Sequence, residues 1–411
     1  MRYGLIGETL GHSYSPRLHR LLGDDTYALA PLPPEALDAF LKARAFEGLN
    51  VTIPYKRAVV PYCAQLGPTA RAVGSVNTLV KRPDGTLYGD NTDAYGFRKM
   101  AENAGIRFAG RKALVLGSGG TSLAACHVIR EAGGEPVVIS RNGENDYRHL
   151  DRHADAAILV NATPVGMYPN AAASPVDLAR FPKLEGVLDV IYNPLRTRLL
   201  LQAEALGIPR AGGLTMLVWQ AARARALFDG QDVPMEKVRA AEAALRREAG
   251  NLILVGMPGC GKTAVGRRIA KRLGMPFTDA DTEIVRRAGK PIPQIFAEDG
   301  EAAFRALEAA VLAEYGAKNG QVLSTGGGAV LTAENRANLR MNGTVIWLQR
   351  PLDRLKTEGR PLSTGMAALK RMETERAPLY RAAADAAVAN EGTLADCVNR
   401  VLEEYDEALR D

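Results

Sequence analysis

The chain has 411 residues, of which 46% are hydrophobic and 24% charged; this length and composition suit two or three α/β-sized domains and exclude a disordered or low-complexity protein. A formal net charge of +6 raises the question of nucleic acid, but Lys and Arg are spread along the chain rather than gathered in one tract, and small anionic ligands explain the excess equally well. Four separated cysteines without a C-x-x-C pair argue against zinc and a disulfide framework; residues 1–12 lack a signal-peptide core and no run of 18 apolar residues occurs, so a cytoplasmic protein without a membrane span is expected.

In chain order, Tyr3–Gly7 reads as a short strand, and His12-Ser13-Tyr14-Ser15-Pro16 as the entry to a helix. Ser13 and Ser15 would stand where hydroxyls and backbone donors suit a carboxylate; equally, one of them simply caps the helix. The strand Gly48–Ile53 stops at Pro54, with Thr52 before it and Lys56 two residues beyond, a lysine that sequence alone also allows as a surface side chain with its head in water. Asn77, in Ala72–Leu79, and Asp93, in Gly89–Gly96, bring an amide and a carboxylate to strand or turn ends.

HSYSP, NVTIPYK, AVGSVNTL and GDNTDAYG, in this order and spacing, resemble the substrate domain of shikimate dehydrogenase. The resemblance implies that Ser13 and Ser15 hold the substrate carboxylate, that Thr52, Asn77 and Asp93 bind ring hydroxyls, and that Lys56 with Asp93 forms the catalytic pair. The pairing makes chemical sense, because hydride delivery to a ketone builds negative charge on oxygen that a held ammonium can neutralise with a proton.

Next, Ala113–Leu116 is an apolar strand followed by Gly117-Ser-Gly119-Gly120, a helix, and a second strand, Pro136–Ser140, which is the dinucleotide-binding arrangement. The glycines with Ala124 match the G-x-G-G-x-x-x-A pattern of the same family. After the second strand stands Arg141, where enzymes of the NAD type carry an acid, so the 2′-phosphate of NADP(H) is favoured; Glu144 and Asp146, close behind, would weaken that phosphate's binding. Asn161 and Thr163 resemble the cofactor-side loop of the family. By the same resemblance Met216 lies near the nicotinamide while Tyr192 and Gln220 contact substrate; periodicity alone allows Met216 and Trp219 as helix core. Pro234–Ala249 reads as a polar helical linker.

From Asn251 the chain forms an apolar strand and then Gly256-Met-Pro-Gly259-Cys260-Gly261-Lys262-Thr263, a phosphate-binding loop at every fixed position. Its glycines let Gly259, Cys260 and Gly261 turn backbone N–H groups toward a polyphosphate, Lys262 reaches the β- and γ-phosphates of ATP, and Thr263 takes Mg²⁺. Phe277-Thr-Asp279-Ala-Asp281 is expected as a strand carrying both carboxylates on one face, one for Mg²⁺ and one for a hydroxyl, or as solvated strand-end acids. Arg305 and Glu308, three apart on a helix, could be a plain surface pair. Gly326-Gly327-Gly328 permits close approach to backbone.

F-T-D-A-D, F-R-x-x-E, G-G-G, R-P-L at 360–362 and R-A-P-L-Y at 376–380 together resemble shikimate kinase over 250–411. This assigns Asp281, Arg305, Gly327, Gly328 and Arg376 to shikimate and Arg360 to a lid near the phosphates, with Asp281 able to accept the hydroxyl proton. Arginine suits such posts because its planar fork meets a carboxylate or phosphate bidentately.

The expectation is therefore an α/β chain of three parts: a substrate domain at 1–104 completed by 213–249, a Rossmann-like NADP domain at 105–212, and a P-loop kinase with a parallel sheet flanked by helices at 250–411. It implies a bifunctional enzyme using NADP(H), ATP and Mg²⁺ on small molecules, without nucleic-acid or membrane partners. Two alternatives stand beside it: a first half that prefers quinate or NAD, and a non-enzymatic metabolite-binding regulator.

Overall fold

The computed structural model describes residues 1–11, 13–24, 26–355 and 365–409. It divides into two compact units. Unit 1 takes in residues 1–167, 173–192 and 202–245, and unit 2 residues 168–172, 193–201 and 246–411.

Unit 1 holds two sheets. The first contains β1 (Tyr3–Gly7), β2 (Ala28–Pro31), β3 (Gly48–Val51), β4 (Gln65–Leu66), β5 (Thr78–Lys81) and β6 (Leu87–Asp90), in the order β2-β1-β3-β5-β6-β4. It is mixed: β1 lies parallel to β2 and β3, whereas β5 runs antiparallel to β3 and β6. The second sheet is wholly parallel, with β7 (Lys112–Leu116), β8 (Glu135–Ile139), β9 (Ile158–Asn161), β10 (Gly186–Asp189) and β11 (Arg210–Gly212) in the order β11-β10-β9-β7-β8. Leu114, Val115, Leu159 and Val160 are completely buried, as a parallel strand covered on both faces requires; each such side chain contributes about 1.5–3 kcal/mol.

Two long helices, Thr92–Asn103 and Gly213–Asp229, pack directly on each other in unit 1. The spacing is set at Gly96, where a Cβ would stand 2.4 Å from the Met216 carbonyl oxygen. The stretch read as a polar helical linker forms a helix, Met235–Ala249, that packs an apolar stripe. It buries Val238, Ala241, Leu245 and Ala249, and its Glu242 accepts hydrogen bonds from Thr215 Oγ1 (2.5 Å) and Trp219 Nε1 (3.3 Å). Its four buried residues fall on one helical stripe, which the many charges around them mask in the sequence.

Unit 2 is built on a parallel sheet of β12 (Asn251–Val255), β13 (Phe277–Asp279), β14 (Val322–Ser324), β15 (Gly343–Gln349) and β16 (Ala386–Ala389), ordered β13-β14-β12-β15-β16. Helices enclose a large apolar cluster that includes every residue from Leu252 to Val255. The central strand β12 leads straight into the glycine-rich loop, so the loop hangs from the most buried strand of the unit. Among the described residues no helix is long and apolar enough to cross a membrane.

Candidate functional sites

In unit 1 a cleft of about 470 Å³ is lined by Ser13, Ser15, Thr52, Lys56, Asn77, Asp93, Tyr192, Met216 and Gln220, all singled out from sequence. Local structure explains how they meet. Asn91 caps the Thr92–Asn103 helix, its side chain accepting from the Ala94 amide, which puts Asp93 in the first turn, where the helix dipole favours a negative charge. Lys56 leaves the turn after β3, and its carbonyl accepts the Val76 amide at 2.8 Å.

The Lys56 ammonium meets Asp93 Oδ2 at 2.5 Å, and Asn77 Nδ2 donates to Asp93 Oδ1 at 2.8 Å. Asn77 is itself fixed, because its Oδ1 accepts from the Thr92 amide (2.7 Å) and from Thr78 Oγ1 (3.1 Å). The Lys56 and Asp93 side chains are only 19% and 10% exposed, so the pair is screened from bulk water yet open to the cleft. Such a pair can deliver a proton to an oxygen placed beside it.

Ser13 and Ser15 flank Tyr14 at the start of the Ser15–Leu21 helix, and the Ser15 amide donates to Ser13 Oγ at 3.2 Å. The helix begins at Ser15, so Pro16 is its second residue. Tyr14 stands edge-on to Tyr192, their centroids 5.8 Å apart, and burial pushes the Tyr192 phenol upward. Met216 is 7% exposed and also lines the cleft, so the core and site readings of it both hold. Asn50, Thr121 and Tyr14 line the cleft too and escaped the sequence reading. Asn50 carried the one usable signal, a polar residue inside an apolar strand; its Oδ1 accepts from Tyr27 at 2.7 Å and its Nδ2 donates to Thr78 Oγ1 at 3.1 Å.

The dinucleotide loop follows β7. Gly117 has φ +104°, and a Cβ on it would lie 2.9 Å from the Ala162 carbonyl oxygen, so only glycine fits. A Cβ on Gly119 would meet nothing within 4 Å, leaving open space at the N-terminus of the Gly120–Glu131 helix, as a pyrophosphate requires. Asn161 is fully buried: its Nδ2 donates to Asp189 Oδ1 (3.1 Å) and its Oδ1 accepts from Thr163 Oγ1 (2.6 Å). It shapes the loop that carries Thr163. Arg141 is exposed just past β8, and so is Glu144. Asp146, by contrast, is buried and spent locally: Arg148 and His149 hydrogen-bond its carboxylate, and the Arg148 bonds foremost hold it down at about 2 against the cost of burial. Of the two acids that follow Arg141, only Glu144 keeps an uncommitted charge near it.

In unit 2 the loop glycines Gly256, Gly259 and Gly261 have φ of +144°, +82° and +107°. Lys262 opens the Lys262–Leu273 helix, and its ammonium donates to the carbonyls of Gly256 (2.8 Å) and Met257 (3.1 Å). Thr263 Oγ1 donates to Asp279 Oδ2 at 2.7 Å, putting a hydroxyl and a carboxylate side by side at the start of that helix. Two adjacent oxygens of this kind fit a Mg²⁺ that keeps most of its water. Among the described residues no cluster of three or more His, Cys, Asp or Glu could form a protein-only metal cage.

The expected strand face with two carboxylates is corrected. β13 stops at Asp279, whose side chain accepts the Thr282 amide at 3.2 Å and caps the Ala280–Ala288 helix; Asp281 therefore sits in a helical turn. The cap divides the two acids, Asp279 toward Thr263 and Asp281 toward Gly326, where a Cβ would be 2.8 Å from Asp281 Oδ1 and 3.0 Å from Glu308 Oε1.

Arg305 and Glu308 are no surface pair. Glu308 is 1% exposed, and Arg305 Nη1 contacts its Oε2 at 2.8 Å. Burial pushes the Glu308 carboxyl above its usual range despite Arg305, and Asp281 adds to the rise. A Cβ on Gly328 would come within 2.1 Å of Arg305 Nη1, so the guanidinium occupies the space beside that glycine. Arg376 is 8% exposed and its charge is felt by Glu308 and Tyr380, while Tyr380 Oη donates to the Gly327 carbonyl at 2.6 Å. Asp281, Arg305, Arg376 and the glycine turn thus converge near the phosphate loop, where a Cβ on Gly327 would strike Pro258 at 2.6 Å. Glu308 belongs to the group and was missed as a site residue, although its position three after Arg305 carried the signal. Arg360 lies outside the described residues.

Fold and sites together define an α/β enzyme with two nucleotide-type sites, one a dinucleotide cleft with a proton-donating pair and the other a phosphate loop beside a cluster of Arg305, Arg376 and two carboxylates. Known proteins agree. Residues 5–79 match the family model for the shikimate dehydrogenase substrate binding domain, and residues 258–406 that for shikimate kinase. Shikimate dehydrogenase (NADP(+)) of Thermus thermophilus is 37% identical over 247 residues, covering 56% of this chain and 93% of the relative. The crystal structure of shikimate 5-dehydrogenase from the same organism, in complex with NADP(H) and shikimate, matches 59% of this chain and 99% of its own at 35% identity and a TM-score of 0.54. Quinate dehydrogenase from Corynebacterium glutamicum, in complex with NAD, matches 59% of this chain and 99% of its own at 28% identity and a TM-score of 0.55. The chain belongs to the shikimate dehydrogenase family and carries a shikimate kinase domain in its C-terminal part.

Proposed function

We propose that this chain is a bifunctional enzyme of the shikimate pathway, reducing 3-dehydroshikimate to shikimate with NADPH and then phosphorylating the new hydroxyl with MgATP to give shikimate 3-phosphate. The domains follow as 1–104 completed by 213–249 for substrate, 105–212 for NADP(H), and 250–411 for the kinase. The cytoplasm is the assigned location. The observation that carries the reading is the Lys56–Asp93 pair in the unit 1 cleft together with the Thr263–Asp279 pair beside the phosphate loop of unit 2.

Bound NADPH supplies the hydride. Ser13 and Ser15 hold the carboxylate of the substrate, Thr52, Asn77, Tyr192 and Gln220 position the ring, and Lys56 gives a proton to the ketone oxygen as charge builds there, with Asp93 keeping the ammonium aimed. Gly117, Gly119, Gly120 and Thr163 hold the dinucleotide, Arg141 its 2′-phosphate, and Met216 walls the nicotinamide side. In the kinase, Asp281 orients the hydroxyl and accepts its proton. Arg305, Arg376, Gly327 and Gly328 hold shikimate, and Glu308 positions Arg305. The Gly259–Gly261 backbone, Lys262 and Arg360 neutralise the triphosphate, and Thr263 with Asp279 anchors Mg²⁺. Arg141 and the commitment of Asp146 to Arg148 and His149 favour NADP(H) over NAD.

The test is a pair of variants assayed for both reactions. Lys56→Ala should lower NADPH oxidation with 3-dehydroshikimate by about 10²–10⁴-fold and leave shikimate-dependent ATP turnover intact. Lys262→Ala should lower ATP turnover by about 10²–10³-fold and leave NADPH oxidation intact. Wild-type protein that binds shikimate and turns over neither cosubstrate would instead be a metabolite-binding regulator.

A further inference from the structure

Unit 2 includes residues that precede its family match by some sixty positions. We propose that residues 193–201 are an integral part of this unit, serving as the C-terminal cap of its Ala333–Asn342 helix with Arg196 as the central donor.

The last carbonyls of a helix have no partner within it, and a left-handed glycine turn commonly supplies one. Gly343 cannot serve in that way here. Its φ of −104° and ψ of 134° are extended, because it is already the first residue of β15 and pairs with Asn251. Helix runs directly into strand, and the donors come from elsewhere. The Arg196 amide donates to the Met341 carbonyl at 2.8 Å, Arg196 Nε to the Arg340 carbonyl at 2.8 Å, and Arg196 Nη2 to the Gly343 carbonyl. The same guanidinium closes on Asp385 at 2.7 Å (Nη1 to Oδ1) and 3.2 Å (Nη2 to Oδ2), while Asp385 Oδ2 also accepts the Val345 amide at 2.8 Å. Either side of it, the Leu195 amide donates to Asn342 Oδ1 (2.8 Å), and Arg198 Nη2 donates to Asn338 Oδ1 (2.7 Å) and to Glu334. Leu201 joins Ala171, Ala337 and Met341 in a small apolar cluster.

A cation at a helix C-terminus is favoured by the dipole, and the Arg196 and Asp385 side chains, 24% and 17% exposed, are sheltered enough for charge-assisted bonds to count. Removing the Arg196 side chain takes the guanidinium donors from two carbonyls, those of Arg340 and Gly343, and the paired cation from the Asp385 carboxylate in that shelter, while the residue 196 amide still reaches the Met341 carbonyl. The consequence reaches the phosphate loop by two ladders. β15 pairs along the whole of β12, which feeds the loop, and also with β16, after which Asn390 Nδ2 donates to the Cys260 carbonyl at 2.6 Å.

The test uses the full chain as Arg196→Ala and Arg196→Lys, read by hydrogen–deuterium exchange and by both activities. The expected result for Arg196→Ala is amide exchange at residues 338–346 faster by about tenfold or more, with a fall in ATP turnover and unchanged NADPH oxidation. Arg196→Lys, with a single point charge for acceptors spread around a fork, should be intermediate, and it decides the matter if Arg196→Ala does not accumulate. Wild-type exchange at 338–346 in a folded variant overturns the proposal, as does acceleration spread evenly over both units. Exchange needs no substrate, so its outcome stands apart from any failure of the assigned reactions.

Discussion

Arg305 shows how much a single side chain's surroundings decide. On the sequence it is half of an i, i+3 pair; in the structure its guanidinium is wedged between Glu301, Glu308 and the bare face of Gly328. A methyl at 328 would displace a group pinned at both ends, so Gly328→Ala should raise the shikimate KM of the kinase by about tenfold to a hundredfold without altering NADPH oxidation. Steady-state kinetics at saturating ATP checks this. Arg141 invites a second measurement: Arg141→Ala should cut kcat/KM for NADPH by about tenfold to a hundredfold and leave that for NADH near its starting value. Residue types bearing chemistry at strand and helix ends, such as Lys56, Asp93 and Lys262, were legible because their motifs are local. Glu308 and Asn50 left only faint marks, an acid three after an arginine and a polar residue inside an apolar strand, and Tyr14 left none, since what distinguishes them is burial or a partner far along the chain.

Among elements, β7 with its glycine turn and β12 with the phosphate loop announced themselves through apolar runs that stop at glycines. The end of β13 did not. Period-two reasoning extends a strand until something interrupts it, and the interruption here is the Asp279 side chain capping the next helix. The Met235–Ala249 helix was expected but its packing was not, its buried stripe being thin and its Glu242 a half-buried acceptor. The entrance to β16 offers a pH test. Burial alone would raise the Asp385 carboxyl, but Arg196 and the Val345 amide overcome that and hold it below its ordinary value. A carboxylate lowered on folding adds stability above the unfolded range near pH ~3.9 and loses it as the pH falls through the folded value. The thermal stability of unit 2 should therefore decline with acidification below about pH 4, and Asp385→Asn, less stable at neutral pH, should show a flatter decline.

At the level of the whole molecule, two chemically separate sites in one chain should respond separately to their ligands. NADP⁺ at a hundred times its Kd stabilises the unit that binds it by about 2.7 kcal/mol, and a non-hydrolysable ATP analogue does the same for the other. Differential scanning calorimetry should thus raise one transition with each ligand; one ligand raising both equally would argue against separate sites. The division into an N-terminal dehydrogenase and a C-terminal kinase could be read from motifs alone, but the membership of residues 193–201 in unit 2 could not, because hydrogen bonds to backbone carbonyls leave no mark on the sequence.

That membership imposes an order of events during translation. Leu195 and the Asn342 that receives its amide are separated by 147 residues. At roughly 5–20 residues per second, a ribosome delivers the earlier one roughly 7–30 s before the later. Until then the Arg196 side chain has none of the acceptors it meets in the folded chain, so this end of the Ala333–Asn342 helix can be capped only by the return of a stretch synthesised long before it.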